Sequence, residues 1–415
     1  MPLEWDIVTP HYPPQTGGIA DYTLLLARAL HAVGDTVAVW CPIVAAGVPE
    51  PDGVRVFQVL ERFTLNDVLA LDRMWAAERA RSRRILVMYH PHGFGWRSMN
   101  IPFCLWLWKR AAVNGDRIVV LLHERGIPFR QGPWKHDIVA GAHRIMLALT
   151  LQAAARVWTP VKAWVKTTRP WALGRRVSIA WLPVFSNIQP IENADQVVNT
   201  RNRFVGAGEV LVGHFGVCPL PITRQLDLVL PTLLRSQTKL KVLLVGIGTD
   251  HYANALRAAH PDVAGRIQGL GAVSPAEVSL CLQACDVLLQ PYAEGVNARR
   301  TTAMAALANG VPMVTTHGRI SEPLWRKLAS VRTAPAGNAP AMIRAVEALL
   351  ADLTGRESMS AAGRAYFEEN FTLQHTVQQL RSCEISIAQG AGELPFTKPT
   401  HGLWHGVRNL FGWLV

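Results

Sequence analysis

A chain of 415 residues exceeds the roughly 250–300 residues at which a single hydrophobic core stops growing, so two domains are expected. Apolar residues at 49% with only 17% charged exclude a disordered or solvating chain. The formal charge of +12 is concentrated near the front, where residues 1–190 hold 22 Lys and Arg against 13 Asp and Glu.

That excess lies in Arg79-Ala80-Arg81-Ser82-Arg83-Arg84, in Lys109-Arg110 and in residues 162–176. Such a surface suits anionic lipid headgroups or a diphosphate-bearing acceptor, and a solvated basic face with no partner is the alternative. Nucleic acid is set aside, because no helix-turn-helix, zinc finger or RNA-stacking motif accompanies the charge. Cysteines at 41, 104, 218, 281, 285 and 383 form neither a disulfide framework nor a zinc motif, which points to a reducing cytoplasm. No signal-peptide pattern opens the sequence. Its longest charge-free apolar run in a helical context, 145–155, is about half the ~20 residues a membrane span needs. A cytoplasmic protein is expected, with peripheral contact to the inner face of the membrane.

In chain order, strands are predicted at 5–8, 36–40, 54–58, 84–89, 117–122 and 156–158, with a first helix at about 20–33. Apolar runs of this length separated by helical lengths indicate parallel strands covered on both faces. The polar stretch 186–209 lacks any apolar run and reads as a linker. A second series follows at 211–216, 240–245, 266–268, 287–290 and 312–316, then helices near 339–353, 356–370 and 373–389. The resulting division is an N-terminal domain at 1–190, a linker at 191–208, a C-terminal domain at 209–372, a last helix at 373–390 and a tail at 391–415. The tail sets Trp404, Phe411 and Trp413 beside Lys398 and Arg408, a pattern that fits an interfacial anchor, a docking segment or disorder alike.

Chemistry-bearing residues gather where strands end. After the first strand, Thr9-Pro10-His11-Tyr12 runs on to Gly17-Gly18-Ile19-Ala20-Asp21-Tyr22, a Gly pair at a helix start that lets backbone N–H groups approach a ligand. His90-Pro91-His92-Gly93 follows the fourth strand, with no third ligand in sequence to make a metal site. His123-Glu124-Arg125 ends the fifth, where a neutral imidazole is able to accept a proton. In the second series come His214-Phe215-Gly216-Val217, then Gly246-Ile247-Gly248, then a helix start at Ser274-Pro275-Ala276-Glu277 with a capping signature. Glu294-Gly295-Val296-Asn297-Ala298-Arg299-Arg300-Thr301-Thr302 joins a carboxylate, a tight turn, two cations and a helix start, a combination suited to a sugar diphosphate.

Taken in this order, the motifs resemble the retaining GT-B glycosyltransferases of the family 4, group 1 type, whose donor loop follows a pattern like EGFG…EAMA.GVP. The sequence matches at Glu294, Gly295, Ala303, Met304, Gly310 and Pro312, and departs where a second Glu is expected, at Thr302. The resemblance implies an α/β protein of two doubly wound Rossmann-like domains facing across a cleft, the last helix crossing back to the first domain. It implies a UDP- or GDP-linked sugar as donor substrate, with no cofactor and no metal, and a glycan or lipid-linked acceptor.

Among site residues it implies Glu294 on the transferred sugar, and His123 or Glu124 orienting or deprotonating the acceptor. Gly17, Gly18, Gly246, Gly248, Gly295, Asn297, Thr302, Arg299, Arg300 and Arg224 fall on the donor, and His11, Asp21, His90 and His92 on the acceptor side. Val217 stands where an Arg is expected, so the phosphate-binding charge moves to Arg299, Arg300 or Arg224. A Thr in place of a ribose-gripping carboxylate exchanges a charged hydrogen bond for a neutral one, lowering donor affinity ~10-fold unless neighbours compensate. The function implied is hexosyl transfer in polysaccharide synthesis. Its rivals are a nucleotide-sugar epimerase on the same scaffold and a non-catalytic glycan- or nucleotide-binding protein.

Overall fold

The computed structural model describes residues 1–388 apart from 16, 45, 46, 78–81 and 131. It divides into two compact units, Met1–Leu182 rejoined by the chain from Val377, and Pro183–Thr376. The tail at 391–415 and the cations Arg79 and Arg81 lie outside the described residues.

Unit 1 runs β1 (Glu4–Val8), α1 (Gly18–Ala32), β2 (Thr36–Pro42), β3 (Val54–Leu60), α2 (Leu65–Ala77), β4 (Arg84–Tyr89), α3 (Ile101–Ala112), β5 (Arg117–Leu122), α4 (Trp134–Ala153), β6 (Ala154–Thr159), α5 (Lys162–Thr168) and β7 (Ser178–Trp181). The seven strands are parallel, in the order β3-β2-β1-β4-β5-β6-β7. Central strands are apolar nearly throughout because helices cover both faces, and Ile85 to Tyr89 and Ile118 to Leu122 are buried. Trp40, Trp75 and Trp106 join Phe63, Phe94 and Phe103 on one side of this core. Sheet order reverses between β1 and β4, so the loops after these strands diverge and leave a crevice at the carboxyl edge, where ligands bind in open α/β sheets.

Unit 2 runs α6 (Ala194–Asn202), β8 (Val210–Phe215), α7 (Leu220–Ser236), β9 (Leu240–Val245), α8 (Thr249–Ala259), β10 (Ile267–Gly269), α9 (Pro275–Ala284), β11 (Val287–Gln290), α10 (Thr301–Ala308), β12 (Met313–His317), α11 (Leu324–Lys327), β13 (Val331–Pro335), α12 (Ala339–Ala351) and α13 (Leu353–Asn370). Its six strands are again parallel, ordered β10-β9-β8-β11-β12-β13, with the reversal between β8 and β11.

One expectation is corrected here. Residues 191–208, read as a linker, contain helix α6 and belong to unit 2. The Asn193 side chain accepts from Gln196 N at 3.0 Å to start that helix, which packs on α9. Arg201 then donates to Ala284 O at 2.7 Å and to the Asp286 carboxylate at 2.9 Å. A polar helix held by its cap and one arginine leaves no apolar run to read.

The last helix, α14 (Leu373–Ala388), returns the chain to unit 1. Its Glu384 carboxylate, 1% exposed, accepts from Arg84 Nε at 2.9 Å and from Arg117 at the starts of β4 and β5. Arg381 grips the Asp35 carboxylate at 3.0 Å, and Asp35 in turn accepts from Leu3 N and Trp5 Nε1. Replacing one partner of a buried pair leaves the other charge uncompensated. Glu384→Ala should therefore destabilise unit 1 by roughly 3 kcal/mol in urea denaturation.

Candidate functional site

In unit 2 the loops after β8, β9 and β10 are drawn together by glycines. Gly246 has a φ of 127°, and a Cβ there would overlap the Gly216 carbonyl oxygen. Gly216 N donates to Val245 O at 2.9 Å and Gly246 N to Gly271 O at 2.9 Å. Gly248 starts α8 in the left-handed region, with nothing near an added Cβ.

The loop between β11 and α10 is held at several points. Gly295 has a φ of 87°, and a Cβ on it would overlap the Gly318 amide nitrogen and Ser321 Oγ. Val296 N donates to Thr316 O at 2.7 Å. Asn297 is fully buried and accepts from Arg299 N at 3.1 Å. The buried Glu322 carboxylate accepts from Ala298 N at 3.1 Å and from Trp325 Nε1 at 2.8 Å. Fixed in this way, the loop leaves Glu294 exposed and sets half-buried Arg299 and Arg300 immediately before the first turn of α10. Free amides and two guanidiniums at a helix start favour an anion.

Thr302 is engaged by the protein itself. Its hydroxyl lies 2.7 Å from the Tyr292 hydroxyl, and the Arg300 guanidinium stands 4.8 Å above the Tyr292 ring. Burial pushes the Tyr292 phenol up to about 12, so it is neutral at physiological pH. Tyr292 and Glu322 are site residues that sequence reasoning missed. Both lie outside the quoted motif, although Tyr292 is only two positions before Glu294. Arg224, by contrast, is exposed on α7.

His214, at the end of β8, is buried, and its Nδ1–H donates to Leu289 O at 2.9 Å, while Nε2 has no hydrogen-bond partner. Burial pushes this imidazole down to about 4. The unfolded chain, with an ordinary histidine near 6.5, then binds the proton more readily than the folded one. Stability is complete above about pH 6.5 and is lost as pH falls towards 4, by roughly 3 kcal/mol. His214→Asn should flatten that part of the pH dependence, as measured by urea midpoints at a series of pH values.

In unit 1, Gly17 and Gly18 are exposed at the start of α1, where an added Cβ meets nothing within 4 Å and no side chain caps the helix. Around the β1/β4 reversal, histidine rings follow one another: His11 to His90 at 5.8 Å, His90 to His92 at 5.4 Å and His92 to His143 at 5.1 Å. His123, at the end of β5, packs edge-on against Tyr22 at 5.1 Å, with half-buried Glu124 next to it and Asp21 in the first turn of α1. The structure thus brings His11, His90 and His92 together and adds His143 and Tyr22, which sequence reasoning missed. His143 donates from Nε2 to Ser98 O at 2.8 Å and accepts at Nδ1 from Ile127 N at 3.2 Å, and burial lowers its pKa. Among the described residues no three His, Cys, Asp or Glu side chains converge as metal ligands.

The two kinds of glycine separate by experiment. Gly295→Ala should cost roughly 2–4 kcal/mol through backbone strain and overlap. Gly18→Ala should shift the melting temperature by less than about 2 °C, because its Cβ points into open space.

Residues 222–352 match the family model for glycosyl transferases group 1. No curated protein matches the chain by sequence. Among solved structures, sucrose-phosphate synthase from Thermosynechococcus elongatus superposes with a TM-score of 0.71 at 15% identity, over 94% of this chain and 100% of that one. Anabaena HepE, solved in complex with UDP and glucose, gives 0.66 at 15% identity over 92% and 99%. WaaG, a glycosyltransferase involved in lipopolysaccharide biosynthesis, gives 0.63 at 13% identity over 90% and 98%. At these identities the likeness is one of fold. The chain therefore has the GT-B architecture of two parallel-sheet α/β units, and its residues 222–352 are similar to the domain that the glycosyl transferases group 1 model describes.

Proposed function

We propose that this protein transfers a hexosyl group from a UDP- or GDP-linked donor to a hydroxyl of a glycan or lipid-linked acceptor, with retention at the anomeric carbon. The observation that carries the reading is the fixed loop in unit 2 that presents exposed Glu294 beside Arg299, Arg300 and the start of α10, inside the region of the family match. HepE, of similar fold, is a UDP- and glucose-binding protein.

In this reading the donor pyrophosphate lies against the first amides of α10, with Arg299 and Arg300 neutralising it, and Glu294 accepts hydrogen bonds from the sugar hydroxyls. The bond between the anomeric carbon and the diphosphate oxygen breaks, and that oxygen keeps the electron pair. The guanidiniums and helix amides stabilise the charge as it develops. The acceptor oxygen bonds to the anomeric carbon, and its proton passes to the departing diphosphate or to the His123–Glu124 pair. His11, Asp21, His90 and His92 line the acceptor side, with Gly17 and Gly18 allowing close approach of the backbone. A cytoplasmic setting accords with six free thiols. The Thr302–Tyr292 bond favours a second reading, a nucleotide-binding protein without transfer, since the ribose then lacks its carboxylate.

Thermal shift with UDP and with GDP tests the donor site, because a ligand at 100 times its dissociation constant adds about 2.7 kcal/mol of stability. The variant Arg299→Met/Arg300→Met should lose that stabilisation while keeping its ligand-free melting temperature within a few degrees. An undiminished shift in the folded double variant sinks the assignment. Release of nucleoside diphosphate with and without glycan acceptors then separates transfer from binding alone.

A further inference from the structure

We propose that a cation-lined cavity at the amino edge of the unit 2 sheet binds a phosphate dianion, free or carried by a small molecule, at a place separate from the candidate donor site. The cavity, of about 630 Å³, has Arg203, Phe204, Lys241, Arg257, Arg266 and Gln268 in its lining. That size suits a small molecule. It exists because the two faces of the sheet are covered unequally. Leu240, Val242 and Leu244 of β9 and Ile267 of β10 pack with Leu226 and Val229 of α7 and Leu256 of α8 in the core on one face. Lys241 and Gln268 alternate with these residues along their strands and so turn to the other face. There α9 lies over β8, and β10 is the edge strand, which leaves Lys241 half-buried and Gln268 exposed.

Charge selects the ligand. The lining contains no carboxylate. Arg203 pairs with Glu277 at 2.7 Å and Lys241 with Glu209 at 2.7 Å, so these two cations are compensated from outside the cavity. Arg257 and Arg266 are not. Arg257 donates to Ile267 O at 3.0 Å and to the Asn254 side-chain oxygen, while Arg266 donates to Gln237 O at 2.8 Å and to Leu234 O near the end of α7. These acceptors are neutral. Asp262, which stands between the two arginines in sequence, is held by Arg235 at 2.7 Å. Neutral acceptors fix the guanidiniums without cancelling their charge, and Arg257 keeps part of its five-donor fork open. Two uncompensated positive charges match one phosphate group, which carries about −1.5 to −2 near pH 7. Both arginines are half-buried, where a charge acts through a lower effective dielectric than at the open surface. A nucleic acid would call for cations spread along a track rather than around one concavity.

Lys241 stands four residues before Val245, the last residue of β9. At about 3.3 Å per residue the floor of the cavity is then about 13 Å from the loops that carry the candidate donor site. It is a second site on the same sheet, and it stands whether or not the transfer reaction does.

Isothermal titration calorimetry of the full chain in an Arg299→Met/Arg300→Met background tests the cavity, because that background lacks the donor-site cations. The probes are ribose 5-phosphate, phosphoserine and inorganic phosphate, with ribose as the uncharged control. At least one of the three phosphates should bind with a dissociation constant of about 1 mM or lower, and ribose should not bind. An ester at least about tenfold tighter than inorganic phosphate identifies a phosphorylated small molecule as the ligand, and equal affinity identifies the free ion. Lys241→Gln/Arg257→Gln should weaken binding at least about tenfold. Gln268→Glu, which adds a repelling charge to the floor at an exposed position, should do the same, and it decides alone if the double variant fails to fold. Binding undiminished in the folded Gln268→Glu variant overturns the proposal, as does the absence of any phosphate bound at about 1 mM. The donor-site reading is judged separately, by the UDP and GDP thermal shifts of the chain with Arg299 and Arg300 intact.

Discussion

Backbone meets backbone in unit 2 with no room for a side chain between, and the candidate donor site depends on that contact. Gly246 lies against the Gly216 carbonyl, and Gly295 against the Gly318 amide. Each contact ties two strand-to-helix loops at the carboxyl edge of the sheet, the first those after β8 and β9, the second those after β11 and β12. Hydrogen bonds alone would tolerate a shift of several tenths of an ångström. Packed glycine backbone tolerates far less. The exposed Glu294 and the two arginines are therefore presented by a rigid support, which is what stabilisation of a charge that grows during reaction requires.

Unit 1 is closed by a different means. Strands β4 and β5 begin at Arg84 and Arg117, and the returning helix α14 supplies the carboxylate that they share. Both arginines are thereby engaged at the edge of the sheet remote from the strand ends that carry the histidines. Arg83 pairs with Asp6 and Arg110 with Asp116 in the same region. Pairs of this kind cancel within the net charge, so the excess of the sequence is carried by other cations.

The alternation of apolar runs made the two parallel sheets legible, because strands buried on both faces have no polar side to confuse the pattern. The start of α10 was legible for a different reason. Tight turn, cations and helix signal are adjacent in sequence, so no tertiary knowledge is needed. The helix at 194–202 was hidden, since beyond its local cap it is held by Arg201 through Ala284 and Asp286, which lie about 80 residues on. Similarly, His143 joins the histidine series from a helix 51 residues beyond His92, and no spacing rule connects them. Local chemistry could be read; convergence of distant segments could not.

The hydroxyl pair of Tyr292 and Thr302 constrains how this loop can evolve. A carboxylate introduced at 302 alone would be longer than the side chain it replaces and would meet the Tyr292 hydroxyl that the threonine now engages. It would also retain the phenol as a competing donor, turning the new acid inward and away from a ribose. Positions 292 and 302 thus share one hydrogen bond, and a change at either leaves the other hydroxyl to find a new partner.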